Sequence, residues 1–233
     1  VESCAVLPCG GGTGERVLGL LEAERVRTHA VRIAQATRSN LSLVESDGTV
    51  TKLNEPGAAL SQDELDAVQA AVVEAAQSAD WVVICGSLPP EAPVDTYAQL
   101  CRRCAAVGVR VALDTSGPAL LAALAAHPTL VKPNREELQE AAGAPVNSLP
   151  ETIAAAEALI AWGAGSVLAS LGADGAVLVT RDGAIAGGAH VDEVRSTVGA
   201  GDALLAGFLS VGTLDAAALA EGLAWGAAAV RLP

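Results

Sequence analysis

The chain of 233 residues contains no methionine, and aromatic side chains make up 2% of it. A core must therefore come from many small contacts among Ala, Val and Leu, which dominate the 51% hydrophobic content. That is enough for one α/β domain with a sizeable core and a small appendage. The missing methionine, with a first residue Val1, suggests a piece of a longer gene product. Basic residues are also scarce: 14 Lys and Arg stand against 27 Asp and Glu, a formal net charge of −13. This argues against nucleic acid as a partner, because a phosphate backbone demands a basic surface. Small anions remain open to it through local donors and dipoles. No apolar run approaches the ~18 residues that span a bilayer, and the N-terminus lacks the layout of a signal peptide, so no membrane partner is expected. The five cysteines are scattered, which reads as a reduced, cytoplasmic protein. Cys101 and Cys104 have metal-ligand spacing but no second pair, and with Tyr97 and Leu100 they fall at helical spacing, as small core residues do. His29, His127 and His190 have no partners at recognisable spacing.

What is present is a repeating alternation of short apolar strands and amphipathic helices from Ser61 onward. Ser61-x-x-Glu64 and Ser148-x-x-Glu151 read as capping boxes. Strands are expected at 81–85, 109–113, 129–132, 166–170 and 176–180, with a hairpin partner after Arg181-Asp182-Gly183. Helices are expected at 94–106, 119–126, 152–162, 200–210 and 214–230, with one starting at Arg135. The pattern predicts a doubly wound, mostly parallel sheet with helices on both faces. Near the N-terminus, Gly10-Gly11-Gly12-Thr13-Gly14 lacks the ending of a Walker loop and reads as an ordinary turn into a helix at Glu15–Ala23. Residues 31–34, 40–44 and 49–53 are short and alternating, with a turn signal at Ser46-Asp47-Gly48. They read as a small antiparallel β lid over 29–54, with 1–28 and 55–233 forming the main domain.

In such sheets ligands collect at the carboxyl ends of the strands. Four strand ends carry polar or flexible residues: Gly86-Ser87, Asp114-Thr115, Lys132-Pro133-Asn134 and Ser170-Leu171-Gly172. Val198-Gly199-Ala200-Gly201-Asp202 then leads into an apolar helix. The first turn of a helix has unpaired N–H groups and a dipole that favours anions. Asp202 is either a helix cap or a base beside an anion pocket, and a base there predicts phosphoryl transfer to a hydroxyl. Asn134-x-x-Glu137 is either a capping box or a pair of oxygen ligands suited to Mg²⁺. Ser170 to Gly175 reads as a two-residue turn at Asp174-Gly175, whose glycines also let a nucleotide lie against the backbone. Arg38 is either a surface arginine or a bidentate partner for a substrate phosphate. A dehydrogenase is excluded for want of a G-x-G-x-x-G unit with its downstream acid.

Five segments in this order resemble the ribokinase, or PfkB-type, carbohydrate kinases. They are Thr37-Arg38-Ser39-Asn40, Gly86-Ser87-Leu88-Pro89, Val131 to Leu138, Ser170 to Ala176 and Ser196 to Asp202. The resemblance implies a ribokinase-like α/β fold with a small β lid that often forms a dimer contact. It implies ATP-dependent phosphorylation of a sugar phosphate, with Asp202 as base and Gly199, Ala200 and Gly201 as anion hole. Asn134 and Glu137 match the magnesium motif, and Lys132, Ser170, Gly172 and Gly175 fall where the nucleotide is held. Arg38 matches a lid residue on the substrate phosphate, and Ser87 lies at a sugar-side loop. Ser196-Thr197, where many members have Asp-Thr, points to the phosphosugar branch. Fructose 1-phosphate is the expected substrate, with tagatose 6-phosphate and fructose 6-phosphate as alternatives. A non-catalytic regulator that binds nucleotide or sugar phosphate is the alternative of another class. The family's early Asn-Pro-x-x-Asp and Gly-Gly-Lys-Gly motifs are not found in the chain.

Overall fold

The computed structural model describes residues 2–44 and 50–232, so the Ser46-Asp47-Gly48 turn lies outside the described residues. The chain divides into two compact units, Val1–Ser78 with Leu88–Pro93, and Ala79–Ser87 with Val94–Pro233.

The first unit holds β1 (Cys4–Cys9), α1 (Gly11–Ala23), β2 (Arg27–Arg32), β3 (Asn40–Val44), β4 (Val50–Asn54) and α2 (Gln62–Ala76). The glycine cluster is the turn from β1 into α1, which begins four residues earlier than expected. A Cβ on Gly10 would fall 1.9 Å from the Gln35 carbonyl oxygen, so the chain after β2 lies directly over this backbone. Thr37 closes the contact: its N–H donates to Gly10 O at 2.9 Å, and its Oγ1 accepts from Gly10 N at 3.0 Å. Residues 31–34 differ from the expectation. The chain from Arg27 to Arg32 pairs with β1 in parallel, and is not part of an antiparallel lid. Alternation along one short strand fixes which residues share a face but not the direction of its partner. β3 and β4 do form the antiparallel pair, with Leu41 opposite Leu53. Leu41, Leu43 and Leu53 share one face of that ribbon and are about half exposed.

The second unit carries a six-stranded sheet in the order β10-β9-β8-β7-β6-β5. Its strands are β5 (Trp81–Cys85), β6 (Arg110–Asp114), β7 (Leu130–Val131), β8 (Val167–Ser170), β9 (Ala176–Thr180) and β10 (Gly183–Gly187). The helices are α3 (Thr96–Ala106), α4 (Gly117–Leu124), α5 (Arg135–Ala142), α6 (Leu149–Ala161), α7 (Ala200–Ser210) and α8 (Ala216–Ala229). β5 to β8 run parallel, and β9 and β10 complete the edge antiparallel. Leu168, Ala176 and Leu178 pack against Leu204, Leu205 and Phe208 of α7 and Leu219 of α8. The intervening Val167, Ala169, Val177 and Val179 are buried as well, and α6 packs on β8 and β9. Burial on both faces is why these strands read as unbroken apolar runs. Cys101 and Cys104 are buried on α3, as small core residues.

Two local features place the site. α7 and α8 approach through glycines: a Cβ on Gly222 would lie 2.7 Å from Leu204 O, and one on Gly207 would lie 2.6 Å from the Trp225 ring. The β8–β9 connection is not a two-residue turn. Ser170 pairs with Ala176, and a single 3-10 turn over Gly172–Asp174 lies between them. Gly172 (φ 62) and Gly175 (φ 87) both take backbone conformations that Cβ-bearing residues disfavour, so the turn needs glycine at both ends.

Candidate active site

The sheet order makes neighbours of the strand-end loops. Cys85 stands opposite Asp114, Leu113 opposite Val131, and Asn134 bridges to Ser170. Gly86 N donates to Asp114 O at 2.9 Å, Lys132 N to Leu113 O at 2.9 Å, and Ser170 N to Pro133 O at 3.0 Å. These bonds carry the parallel ladder one step past the strands, so four loops share one edge.

At the middle of that edge Lys132 is 5% exposed, and its Nζ lies 3.0 Å from Asp114 Oδ2. A buried ammonium is tolerated only when paired. Burial pushes the Asp114 carboxyl above its ordinary range, Lys132 opposes that rise, and the carboxylates of Asp202 and Glu137 add to it. The same Nζ would lie 3.2 Å from a Cβ on Gly201, so the ammonium lies against the first turn of α7. Glycine at 201 is what permits this approach.

Gly199 is the residue that caps α7, in the left-handed conformation (φ 77), and no side-chain capping bond is made. The capping alternative for Asp202 is therefore not realised. Asp202 sits in the first turn with its carboxylate exposed. Its charge reaches both Asp114 and Cys85. Ala200 N donates to Thr197 O at 3.4 Å, and Gly201 and Asp202 follow it in the first turn, whose N–H groups have no partner within the helix itself. The result is a local concentration of donors, an ammonium and an available carboxylate.

Asn134 and Glu137 form a complete capping box on α5. Asn134 Oδ1 accepts from Glu137 N at 2.8 Å, and Glu137 Oε2 accepts from Asn134 N at 2.9 Å. Glu137 Oε1 is not part of the box. Among the described residues no three His, Cys, Asp or Glu side chains are grouped to hold a metal directly. One carboxylate oxygen beside other acids fits a magnesium ion held mostly through its own waters.

Ser170 is half-buried at the end of β8, and Gly172 is exposed at the turn. Ser87 is exposed beyond β5 in the same unit. Arg38 belongs to the first unit, where its Nη1 lies 3.5 Å from Pro56 O. A cavity of about 470 Å³ lies away from Asp202, lined by Arg135, Asn147, Ser148, Leu171, Asp174 and Gly187 among others.

Three residues of this region carried no assigned role in the sequence. Asp114 was visible only as a polar strand end, and its pairing with Lys132 follows from the adjacency of β6 and β7. Cys85 ends β5, and its thiol is pushed up to about 11, by desolvation first and then by Asp114 and Asp202. A raised thiol pKa favours the neutral thiol over the nucleophilic thiolate. Arg135 reaches Asp174 across 39 positions.

A match to the pfkB family carbohydrate kinase model extends over residues 1–231. The chain belongs to the pfkB family of carbohydrate kinases. Among pfkB relatives, the 1-phosphofructokinase of Rhodobacter capsulatus is 43% identical over 217 residues, 87% of this chain and 69% of the relative. The 1-phosphofructokinase of Xanthomonas campestris is 41% identical over 201 residues, 84% of this chain and 63% of the relative. The chain thus spans about two thirds of these relatives' length. The tetrameric inhibited form of phosphofructokinase-2 from Escherichia coli superposes with a TM-score of 0.91 at 34% identity, covering 99% of this chain and 77% of that one. The ribokinase-like fold expected from the motifs is therefore the fold observed.

Proposed function

We propose that the chain is the catalytic part of an ATP-dependent kinase acting on fructose 1-phosphate to give fructose 1,6-bisphosphate and ADP. The observation that carries the reading is the meeting of the Lys132 ammonium with the first turn of α7 at Gly201, one residue before Asp202. Transfer of a phosphoryl group asks for neutralised charge, aligned reactants and a base for the attacking hydroxyl. In this reading Asp202 accepts the proton of the sugar 6-hydroxyl as its oxygen bonds to the γ-phosphorus. The bond from that phosphorus to the bridging oxygen breaks, and ADP leaves with the electron pair. Backbone N–H groups from Gly199 to Gly201 face the negative charge on the phosphoryl oxygens, and Lys132 adds a positive charge. Ser170, Gly172 and Gly175 hold the nucleotide. Asn134 and Glu137 hold magnesium, which when bound offsets the charge of the triphosphate.

Arg38 is assigned to the substrate phosphate and Ser87 to the sugar. β3 and β4 serve as part of the lid, and their exposed leucine face as its contact in a homodimer. The names of the two relatives support fructose 1-phosphate over fructose 6-phosphate. The likeness to the phosphofructokinase-2 of Escherichia coli, also solved in complex with fructose 6-phosphate, favours that sugar as the second reading. Against a non-catalytic regulator stands the Asp202 carboxylate, which no capping bond occupies.

The test is release of ADP by the full-length protein with fructose 1-phosphate, fructose 6-phosphate and tagatose 6-phosphate in parallel. Preference for an unphosphorylated sugar sinks the reading. Asp202→Asn is expected to lower kcat by about 10³-fold or more while ATP still binds and the melting temperature holds. Unchanged turnover would remove Asp202 from the mechanism.

A further inference from the structure

Arg135 is the first residue of α5, next to the cap Asn134, and its guanidinium ties three chain segments together. Nη1 donates to Val146 O at 2.7 Å in the connection between α5 and α6. Nη2 donates to Asp174 Oδ2 at 2.6 Å and lies 3.5 Å from Leu171 O, both in the β8–β9 turn. Val146 is fully buried, so the arginine spans from a fixed point in the core to a surface turn.

The turn needs such a tie at one end. A Cβ on Gly175 would fall 2.1 Å from Gly187 O, so that end is pressed against β10. A Cβ on Gly172 would meet nothing within 4 Å, so the other end stands open. The turn's own bonds, Leu171 N to Gly175 O at 2.8 Å and Gly175 N to Gly172 O at 3.1 Å, hold its shape but not its place. Ser170 N, bonded to Pro133 O at 3.0 Å, holds the strand before the turn, and Arg135 adds the hold on the turn itself, through Leu171 and Asp174, from the residue adjoining the Asn134–Glu137 box.

We infer that Arg135 is a positioning residue which sets the Gly172–Gly175 turn against the Asn134–Glu137 box, and so sets the affinity for the nucleoside triphosphate without touching it. The inference rests on the reading above, in which this turn holds the nucleotide. A turn already held in its binding position loses less freedom on binding. The rigid fork of arginine can serve several acceptors at once, and the single ammonium of lysine cannot span them. The side chain also borders the cavity of about 470 Å³, so water can reach the acceptors when the guanidinium is removed, and the fold is expected to survive.

The experiment compares wild type, Arg135→Met, Arg135→Lys and Asp174→Asn in the full-length protein. ATP binding is followed by calorimetry without sugar phosphate, beside KM for each substrate, kcat and melting temperature. Arg135→Met is expected to weaken ATP about tenfold, with KM for the sugar phosphate and kcat nearly unchanged. Arg135→Lys falls between it and wild type. Asp174→Asn, at an exposed carboxylate that the fold does not need, weakens ATP in the same direction by less. Unchanged ATP affinity in a folded Arg135→Met overturns the inference, whether or not the melting temperature drops, and so does an equal rise in both KM values. Should Arg135→Met fail to fold, undiminished ATP binding by Asp174→Asn overturns it instead. A wild type that binds ATP without transferring phosphate sinks the kinase reading while leaving Arg135 tested; one that binds no ATP sinks both.

Discussion

Ser61–Glu64 and Asn134–Glu137 close the N-termini of α2 and α5 with the same reciprocal pair of hydrogen bonds. In the first, Glu64 Oε2 accepts from Ser61 N at 2.7 Å, and its other oxygen accepts from Ala34 N at 2.7 Å. Both oxygens serve backbone, and these bonds, the one from Ala34 foremost, hold the carboxyl below its ordinary range. In the second, one oxygen closes the box while the acid stands within electrostatic reach of Asp114. The local pattern makes the cap in both places. What the remaining carboxylate oxygen meets decides whether the acid is spent on the fold or left for a ligand.

The sharpest way to break this comparison is to remove the charge that surrounds the second box. Lys132→Met leaves Asp114 buried and unpaired, and is expected to cost about 3 kcal/mol in urea unfolding, with loss of turnover. A neutral result would mean that the corner is wetter than its burial implies. Next come the two acids. Glu137→Gln is expected to lower turnover on the order of 10–100-fold and to raise the magnesium needed for half-maximal rate. Glu64→Gln should leave both untouched, and equal effects from the two would erase the distinction. The caps themselves should behave alike: Ser61→Ala and Asn134→Ala each cost about 1 kcal/mol of stability, with only the latter affecting magnesium dependence.

The smallest effect is in the acid limb. Because the folded pKa of Glu64 is lowered, its contribution is complete at neutral pH and is lost as pH falls through that lowered value. Glu64→Gln should therefore flatten part of the fall in melting temperature on acidification. An acid limb identical to that of wild type would show that the hydrogen bond to Ala34 carries no linkage.

Much of this contrast was open to sequence reading. The span of α7 matched the expected 200–210, because a glycine turn followed by an unbroken apolar run admits few alternatives. The strand-end loops could be collected because a parallel sheet gathers its carboxyl ends on one edge. The Ser61 box was legible as a cap, whereas the Asn134 box stayed ambiguous, since its pattern is the same and its neighbours lie elsewhere in the chain. The Asp114–Lys132 pair joins the ends of β6 and β7, and neither periodicity nor spacing marks an ion pair of that kind. The parallel pairing of β2 was missed because alternation is silent about direction. The turn after Ser170 was read as tighter than it is, because Asp174-Gly175 imitates a hairpin turn while Gly172 adds a second left-handed residue.

The glycine contacts between α7 and α8 have a consequence for how the site tolerates change. At Gly207 and Gly222 the spacing between the two helices is gauged by hydrogen atoms, which act as a stop and permit no sliding. The N-terminal end of α7 is therefore indexed, along its own axis, from contacts at Leu204 and Gly207, within two turns of it. A methyl group added at either glycine would displace Gly201 and Asp202 together, and a substitution remote from every ligand would be read in the assay as a defect of chemistry.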